Sequence, residues 1–561
     1  MARLPENYAE NYAERESGLI VPLSTIPGDD HRGTFGPEYI EFLNAMQSAG
    51  FGVLHDLPLN PPDDYNCPYS SVSTFAIDPQ RIDLEMVAAT GDISNDDLNA
   101  YQELVASGDA GPAIKSEKER LLGRAFVHFD NNGSPERKAS FAKWRAQQAD
   151  WIDSYASFEV AKYLPQNYGK RWKDWETAKD FSPMLVTGLK AGHRQDFSQI
   201  AYTQWVAEKQ TVHYQKIARS LGIKIWGDVP FYVGDGDVWA KREIFNLDSD
   251  GNQLDQGGAA PSLTSSTGQL WGNATYQTKT ATLDWWERRL LRAHTLTPDS
   301  VRLDHFIGFA EPYIIAIDAA DGTKGWRVEG IGKRLLDRLV EKFGPDLPFY
   351  PEDLGTQTEA TAKLRDKYGL LASKLAVRAL NKELLSNQYD GAPNNPDNYG
   401  EWAVAFTGNH DTPTLVQAIS GIQDRRPDAL NQYVRHLAQQ FPERHLDQYS
   451  SDGEQLVGQL AQVEIERVIR SAAQYAFLPL GDLFLYGEEA QFNIPNTIDP
   501  KNWSWRMTGV EMQKFKNEAE KWRNLNASSG RSLQLNNETY SGLITSILGS
   551  GTLAPLAVSN I

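Results

Sequence analysis

The chain has 561 residues, 40% hydrophobic and 23% charged, which excludes a disordered chain and exceeds what one small core holds. Its 55 basic and 74 acidic residues leave a net charge of −19, so no basic field is available for nucleic acid or an anionic membrane surface. One cysteine, Cys67, excludes an intramolecular disulfide framework and points to a reducing, cytoplasmic setting.

The opening MARLPENYAENYAERESG is polar and predicts no signal peptide, and no run of 18 apolar residues predicts a membrane span. Short apolar runs bounded by turn residues then recur: GLIVPL (18–23), GVLHDLPL (52–59), IKIWGDVPFYV (223–233) and SVRLDHF (300–306). PFYPEDLG (348–355), LASKLAV (371–377), WAVAFTGN (402–409) and QYAFLPLGD (474–482) bring the number of predicted strands to eight. Helical patterns lie between them. PEYIEFLNAMQSAG (37–50) opens on Pro37 and stops at Gly50, VHYQKIARSLG stops at Gly222, and RLLDRLVEKF (334–343) has one apolar face. Alternating strands and helices predict parallel β/α units, and eight of them a closed (β/α)8 TIM barrel. An open doubly wound sheet is the alternative, but no G-x-G-x-x-G follows the first strand.

Strand spacing is uneven. Roughly 160 residues part the second and third strands, too many for one loop. The segment 78–200 therefore reads as a mostly helical insertion, and 234–299, rich in Gly, Ser and Thr, as an irregular insertion over the active-site face of a single catalytic barrel spanning 1–561. SNQYDGAPNNPDNYGEW (386–402) reads as a polar loop, and SGLITSILGSGTLAPLAV (541–558) as a packed tail. DSDGN (248–252) hints at a calcium loop, but its glycine is fourth rather than sixth and Ala259 stands where the glutamate belongs, so it reads as a β-turn. No Cys/His cluster suggests zinc and no phosphate loop suggests a nucleotide, so no metal or cofactor is expected.

Charge gathers at strand ends, which form the active face of a parallel barrel. Asp228 closes the third strand. Arg302, Asp304 and His305 close the fourth, Glu352 and Asp353 the fifth, and His410 and Asp411 the seventh. Three carboxylates from three strands fit glycosidic chemistry, which needs one carboxylate as nucleophile and one carboxylic acid to protonate the leaving oxygen. Arg302, two residues from Asp304 on the same strand face, would keep the nucleophile ionised. Singly, each motif also reads as a structural ion pair, an exposed turn or a helix cap. The abundant aromatics, 15 Trp, 23 Tyr and 22 Phe, fit either a large core or platforms for sugar rings.

The stretches GLIVPLSTIPG, GIKIWGDVPFYV, TGQLWGN, VRLDHFIGF, EDLG, GNHDTPTL, GEEAQFNIPNT and NWSWRM follow one another along nearly the whole length. In these the chain resembles the 4-α-glucanotransferases of glycoside hydrolase family 77, the amylomaltases or disproportionating enzymes. The resemblance implies Asp304 as nucleophile, Glu352 as acid/base and Asp411 as a third carboxylate that distorts the sugar, with Arg302 and His410 beside it. It further implies that Trp271, Gln269, Tyr69, Asp228 and Asn493 contact the glucan. The implied substrates are α-1,4-glucans and maltooligosaccharides, with no cofactor, and the oligomeric state is left open. An α-amylase-type retaining hydrolase is the alternative, since VRLDHF and GNHD resemble that clan's strand ends too. The chain departs from the family pattern at Cys67, where serine is usual, at Ile307 for arginine, at Ser262 for aspartate, and in HDTPT for HDNDT. It is also about two residues short after GDVPFYV.

Overall fold

A computed structural model describes residues 15–531 and 533, apart from 29–32, 64, 108–110, 262–264, 355–357, 385–388, 450–452, 496 and 532. The opening residues, the tail at 541–558 and Ser262 lie outside the described residues.

Eight short strands form the centre: β1 (Glu16–Ile20), β2 (Val53–His55), β3 (Lys224–Val229), β4 (Ser300–Leu303), β5 (Phe349–Pro351), β6 (Ala372–Leu375), β7 (Ala403–Phe406) and β8 (Tyr475–Pro479). They pair in the order β6-β7-β8-β1-β2-β3-β4-β5, every neighbour parallel, as the alternating pattern predicts for a (β/α)8 barrel. Seven of the predicted runs contain one of these strands, trimmed at its ends, and the first, 18–23, overlaps β1, which starts two residues earlier. Among the described residues no strand ladder forms between β5 and β6; Pro351 has no N–H to give. Side chains join this seam instead: the Ser373 hydroxyl donates to the Pro351 carbonyl (2.7 Å), and the Ser373 N–H donates to Asp353 Oδ1 (2.7 Å).

Aromatic rings fill the barrel. Trp226 of β3 lies 4.6 Å from Tyr475 and 5.1 Å from both Phe477 and Tyr350, and Phe406 stacks on Phe477 at 5.5 Å. Gly18 of β1 makes room for them, since a Cβ there would lie 2.5 Å from Phe477 Cε1. Helices clothe the outside. Pro37–Ala49 begins with proline and ends at Gly50, whose φ of 77° suits glycine, and Gly332–Phe343 buries Leu335, Leu336 and Leu339.

Every helix of eight or more residues described between β2 and β3 falls in the series Asn95–Ala106, Gly111–Asn132, Pro135–Gln147, Ala149–Lys162, Pro183–Gly192 and Arg194–Ser220. The stretch 234–299 is less irregular than its composition suggests. Its last part is the helix Thr280–Leu296, which packs against β3 and the helix Gly332–Phe343 as part of the outer layer. Its strands Asp255–Ala259 and Gln269–Leu270 join Tyr313–Ala316 and Trp326–Arg327, from the β4–β5 connection, in a four-stranded antiparallel sheet. Asp248 accepts N–H bonds from Asp250 and Asn252, so DSDGN is a turn. Among the described residues no helix is long and apolar enough to cross a membrane.

The first and last described segments meet beneath the barrel. The buried Arg531 guanidinium donates to the carbonyls of Ile469 (2.6 Å), Glu16 (2.7 Å) and Gln474 (2.9 Å). It thus ties the C-terminal helix Ala519–Ser528 to the start of β1 and the approach to β8. Arg531→Ala strands several buried carbonyls and is expected to cost about 3 kcal/mol. A melting temperature equal to that of the parent chain would refute this role.

Candidate active site

The site is built upward from the aromatic plug. Parallel register sets Trp226 beside His55, and one pleat higher sets Asp228 beside Arg302 and Arg302 beside Tyr350. Residues two apart share a face, so these side chains point inward in layers. His55 Nε2 lies 2.5 Å from the Tyr350 hydroxyl. Burial first, then the Arg302 charge, pushes the His55 imidazole down to about 3, so it is neutral.

Arg302 is the hub. Its Nη1 lies 2.6 Å from Asp228 Oδ2 and 3.0 Å from Asp304 Oδ1, and its Nη2 lies 3.3 Å from Glu352 Oε2. Burial alone would lower its pKa, but the carboxylates around it hold it well above the usual value. Side-chain exposure rises outward from this hub: Asp228 0%, Arg302 7%, Asp304 21%, Glu352 23%, Asp411 44%. The cleft therefore opens past Asp304 and Glu352 toward Asp411.

The two carboxyls flanking Arg302 differ in surroundings. Glu352 is pushed up to about 8, chiefly by burial and further by the negative charges of Asp304 and Asp411, against the pull of Arg302. Its Oε2 accepts the His305 N–H at 2.7 Å. His305 holds a left-handed φ of 46°, uncommon for a residue with a Cβ, and this turn aims its N–H at Glu352. Asp304, held by its own N–H to the Val229 carbonyl (3.1 Å), faces the same guanidinium.

Across the cleft, Asn493 Nδ2 donates to Asp411 Oδ1 (2.7 Å), and His410 Nε2 lies 3.2 Å from Asp411 Oδ2. Burial works to raise Asp411, but His410, Asn493 and Arg302 outweigh it and hold the carboxyl down at about 2. Tyr69 stacks on His410 (4.7 Å, 20°) and donates its hydroxyl to Asp228 Oδ2 at 2.6 Å. Burial and the Asp228 charge push that hydroxyl far up, so it remains a donor.

The remaining wall belongs to the four-stranded sheet. The Trp271 indole lies edge-on to His305 (4.7 Å, 83°) and donates its N–H to Gln269 Oε1 (2.9 Å). Tyr232 lies 5.9 Å from Trp271.

The structure thus links Asp228, Arg302, Asp304, Glu352, Tyr69, His410, Asp411 and Asn493 in one connected set. It brings Gln269 and Trp271 to the same cleft through His305. His55 and Trp503 are not singled out by sequence reasoning. The first is a lone imidazole in an apolar strand. Trp503 lies in NWSWRM and sits 5.9 Å from both Tyr69 and His410. Asp353 turns away to pair with Arg365 at the β5–β6 seam. Of the departures from the family pattern, Cys67 is half-buried, its thiol pushed up to about 12 by burial, and Ile307 opens a short helical turn.

Comparison with known proteins agrees over most of the length. The family profile described as 4-alpha-glucanotransferase, glycoside hydrolase family 77, matches residues 21–513. The 4-alpha-glucanotransferase of Thermus thermophilus is 30% identical over 504 residues, 89% of this chain and 96% of that protein. That of Aquifex aeolicus is 29% identical over 514 residues, 89% of this chain and 97% of that protein. Among solved structures, the amylomaltase from Streptococcus agalactiae in complex with acarbose superposes with a TM-score of 0.80 at 24% identity, covering 92% of this chain and 100% of that one. The amylomaltase from Corynebacterium glutamicum gives 0.70 at 17% identity, covering 94% and 77%; both likenesses concern the fold.

Proposed function

The chain belongs to the 4-alpha-glucanotransferases of glycoside hydrolase family 77, and from that premise we propose that it works by a retaining, two-step mechanism through a covalent glucosyl-enzyme on Asp304. In the first step Asp304 attacks the anomeric carbon of an α-1,4-glucan while Glu352 gives its proton to the departing 4-oxygen. A β-glucosyl ester on Asp304 and a free sugar 4-hydroxyl result. In the second step Glu352 takes the proton from an incoming 4-hydroxyl, which displaces Asp304 and restores the α-linkage. Esterification removes the Asp304 charge, one of the two negative charges that hold the Glu352 proton, so the acid of step one becomes the base of step two. Asp411 orients the sugar at the reacting position, with His410 and Asn493 fixing its carboxylate. Tyr69, Gln269 and Trp271 contact the glucan, while Asp228, expected from the resemblance to touch it, is fully buried and positions Arg302 and Tyr69 instead. We read the chain as one catalytic barrel, with 78–200 and the part of 234–299 before the outer-layer helix Thr280–Leu296 inserted around it; the wall carrying Gln269 and Trp271 favours a sugar over water as acceptor.

The observation that carries this reading is the single guanidinium of Arg302 touching both Asp304 and Glu352. The test is maltotriose. Transfer yields free glucose and longer maltodextrins with no net gain in reducing ends; a stoichiometric rise in reducing ends would mean hydrolysis and overturn the reading.

The acid role also sets the pH response. Glu352 must hold its proton in the first step, so kcat/KM is expected to fall about tenfold per pH unit above about pH 8. A profile with no break between pH 7 and 9 would refute the assignment.

A further inference from the structure

All 15 tryptophans of the chain are described, and Trp326 alone among them is exposed, at 46%. An indole left in water forfeits a large apolar burial, so its place matters. Trp326 lies on the edge strand of the four-stranded sheet. Directly paired strand residues share a face, as do residues two apart along a strand. Trp326 pairs with Ile314, Ile314 with Gly257, and Gln269 with Ala259, which lies two residues from Gly257. Trp326 therefore stands on the same face as Gln269. Trp271 shares that side, because its indole N–H reaches Gln269 Oε1 while its backbone N–H bonds the Gly257 carbonyl (3.1 Å).

From Trp271 the row runs through Gly257 and Ile314 to Trp326, three strand spacings or about 14 Å. The edge strand is anchored: Arg327 Nη1 donates to the Glu311 carbonyl (3.0 Å), and its guanidinium covers the Tyr313 ring. The sheet lies on the acid's side of the cleft, because Trp271 abuts His305, whose N–H holds Glu352. That side receives the leaving segment in the first step and the acceptor in the second.

We infer that Trp326 is the stacking platform of an outer subsite for the leaving and acceptor α-1,4-glucan, several sugars beyond the scissile bond. A glucose ring presents an apolar C–H face that fits a fixed, solvent-facing indole. The inference rests on the proposed function for the kind of ligand and goes beyond it in assigning chain-length preference to a residue outside the reacting centre.

The experiment compares the parent chain with Trp326→Ala and Trp326→Phe on maltotriose and maltoheptaose, scoring total bond cleavage so that transfer and hydrolysis count alike. Trp326→Ala is expected to lower the kcat/KM ratio of maltoheptaose to maltotriose about fivefold, mainly through the KM for maltoheptaose, and Trp326→Phe to restore most of it. An unchanged ratio in Trp326→Ala, or equal losses on both substrates, overturns the inference. Because cleavage is scored whatever the acceptor, hydrolysis in place of transfer would sink the proposed reaction and leave this ratio readable.

Discussion

Replacing Asp304 by alanine is expected to lower turnover of maltotriose by about 10^4-fold or more, with the fold intact. The loss should be in kcat, because Asp304 is assigned the attack and no other group stands in its place. Glu352 is engaged as the acid, Asp228 is fully buried against Arg302 and Tyr69, and Asp411 is held by His410 and Asn493. The fold should survive, since Arg302 keeps Asp228 and Glu352 as partners. The variant also leaves a space where Asp304 reached the anomeric carbon. With α-maltosyl fluoride as donor, azide entering that space should attack the same carbon, expel fluoride and give a β-maltosyl azide. Turnover within tenfold of the parent chain, or an α-configured azide product, would show that Asp304 is not the nucleophile.

Glu352→Gln is the complementary case, with an expected loss of about 10^3-fold on maltotriose. Glutamine is isosteric and keeps an oxygen for the His305 N–H, so only the transferable proton is removed. A donor whose leaving group needs no protonation should bypass the first defect and meet the second. α-Maltosyl fluoride should load Asp304 and then stall, because no base activates the acceptor. Intact mass should rise by one maltosyl group, and peptide mapping should place it on Asp304. Absence of an adduct, or an adduct elsewhere, would remove the covalent step. The break near pH 8 should also vanish in this variant. Glutamine relieves a buried carboxyl of its cost in the charged form, so the variant is expected to be more stable than the parent chain at pH 9.

The barrel strands were legible because each is a short apolar run between turn residues, a local signal. The site was legible because charge in an otherwise buried strand end is costly and has to be paired. Arg302, Asp304 and Glu352 proved to be one another's partners. The small sheet was not legible. Its strands are two to five residues long, one reads DQGGA, and its pairings join loops from two different connections. No periodicity within a window reports such a contact. Trp503 escaped for the same reason: what places it is a ring contact with Tyr69, more than 400 residues earlier. The β5–β6 seam was hinted at by Pro351, but only coordinates show Ser373 and Asp353 filling the gap.

The tie between Glu16 and Arg531 under the barrel bears on biosynthesis. Among the described residues β1 comes first along the chain, yet it sits between β2 and β8, and its carbonyl at Glu16 accepts from Arg531. Until Tyr475–Pro479 has emerged, one edge of β1 lacks its neighbour and the ring cannot shut. The nascent polypeptide therefore passes through synthesis with an open, sticky edge, and a chain cut between residues 494 and 530 keeps every proposed catalytic side chain but lacks the Arg531 tie between β1 and the approach to β8.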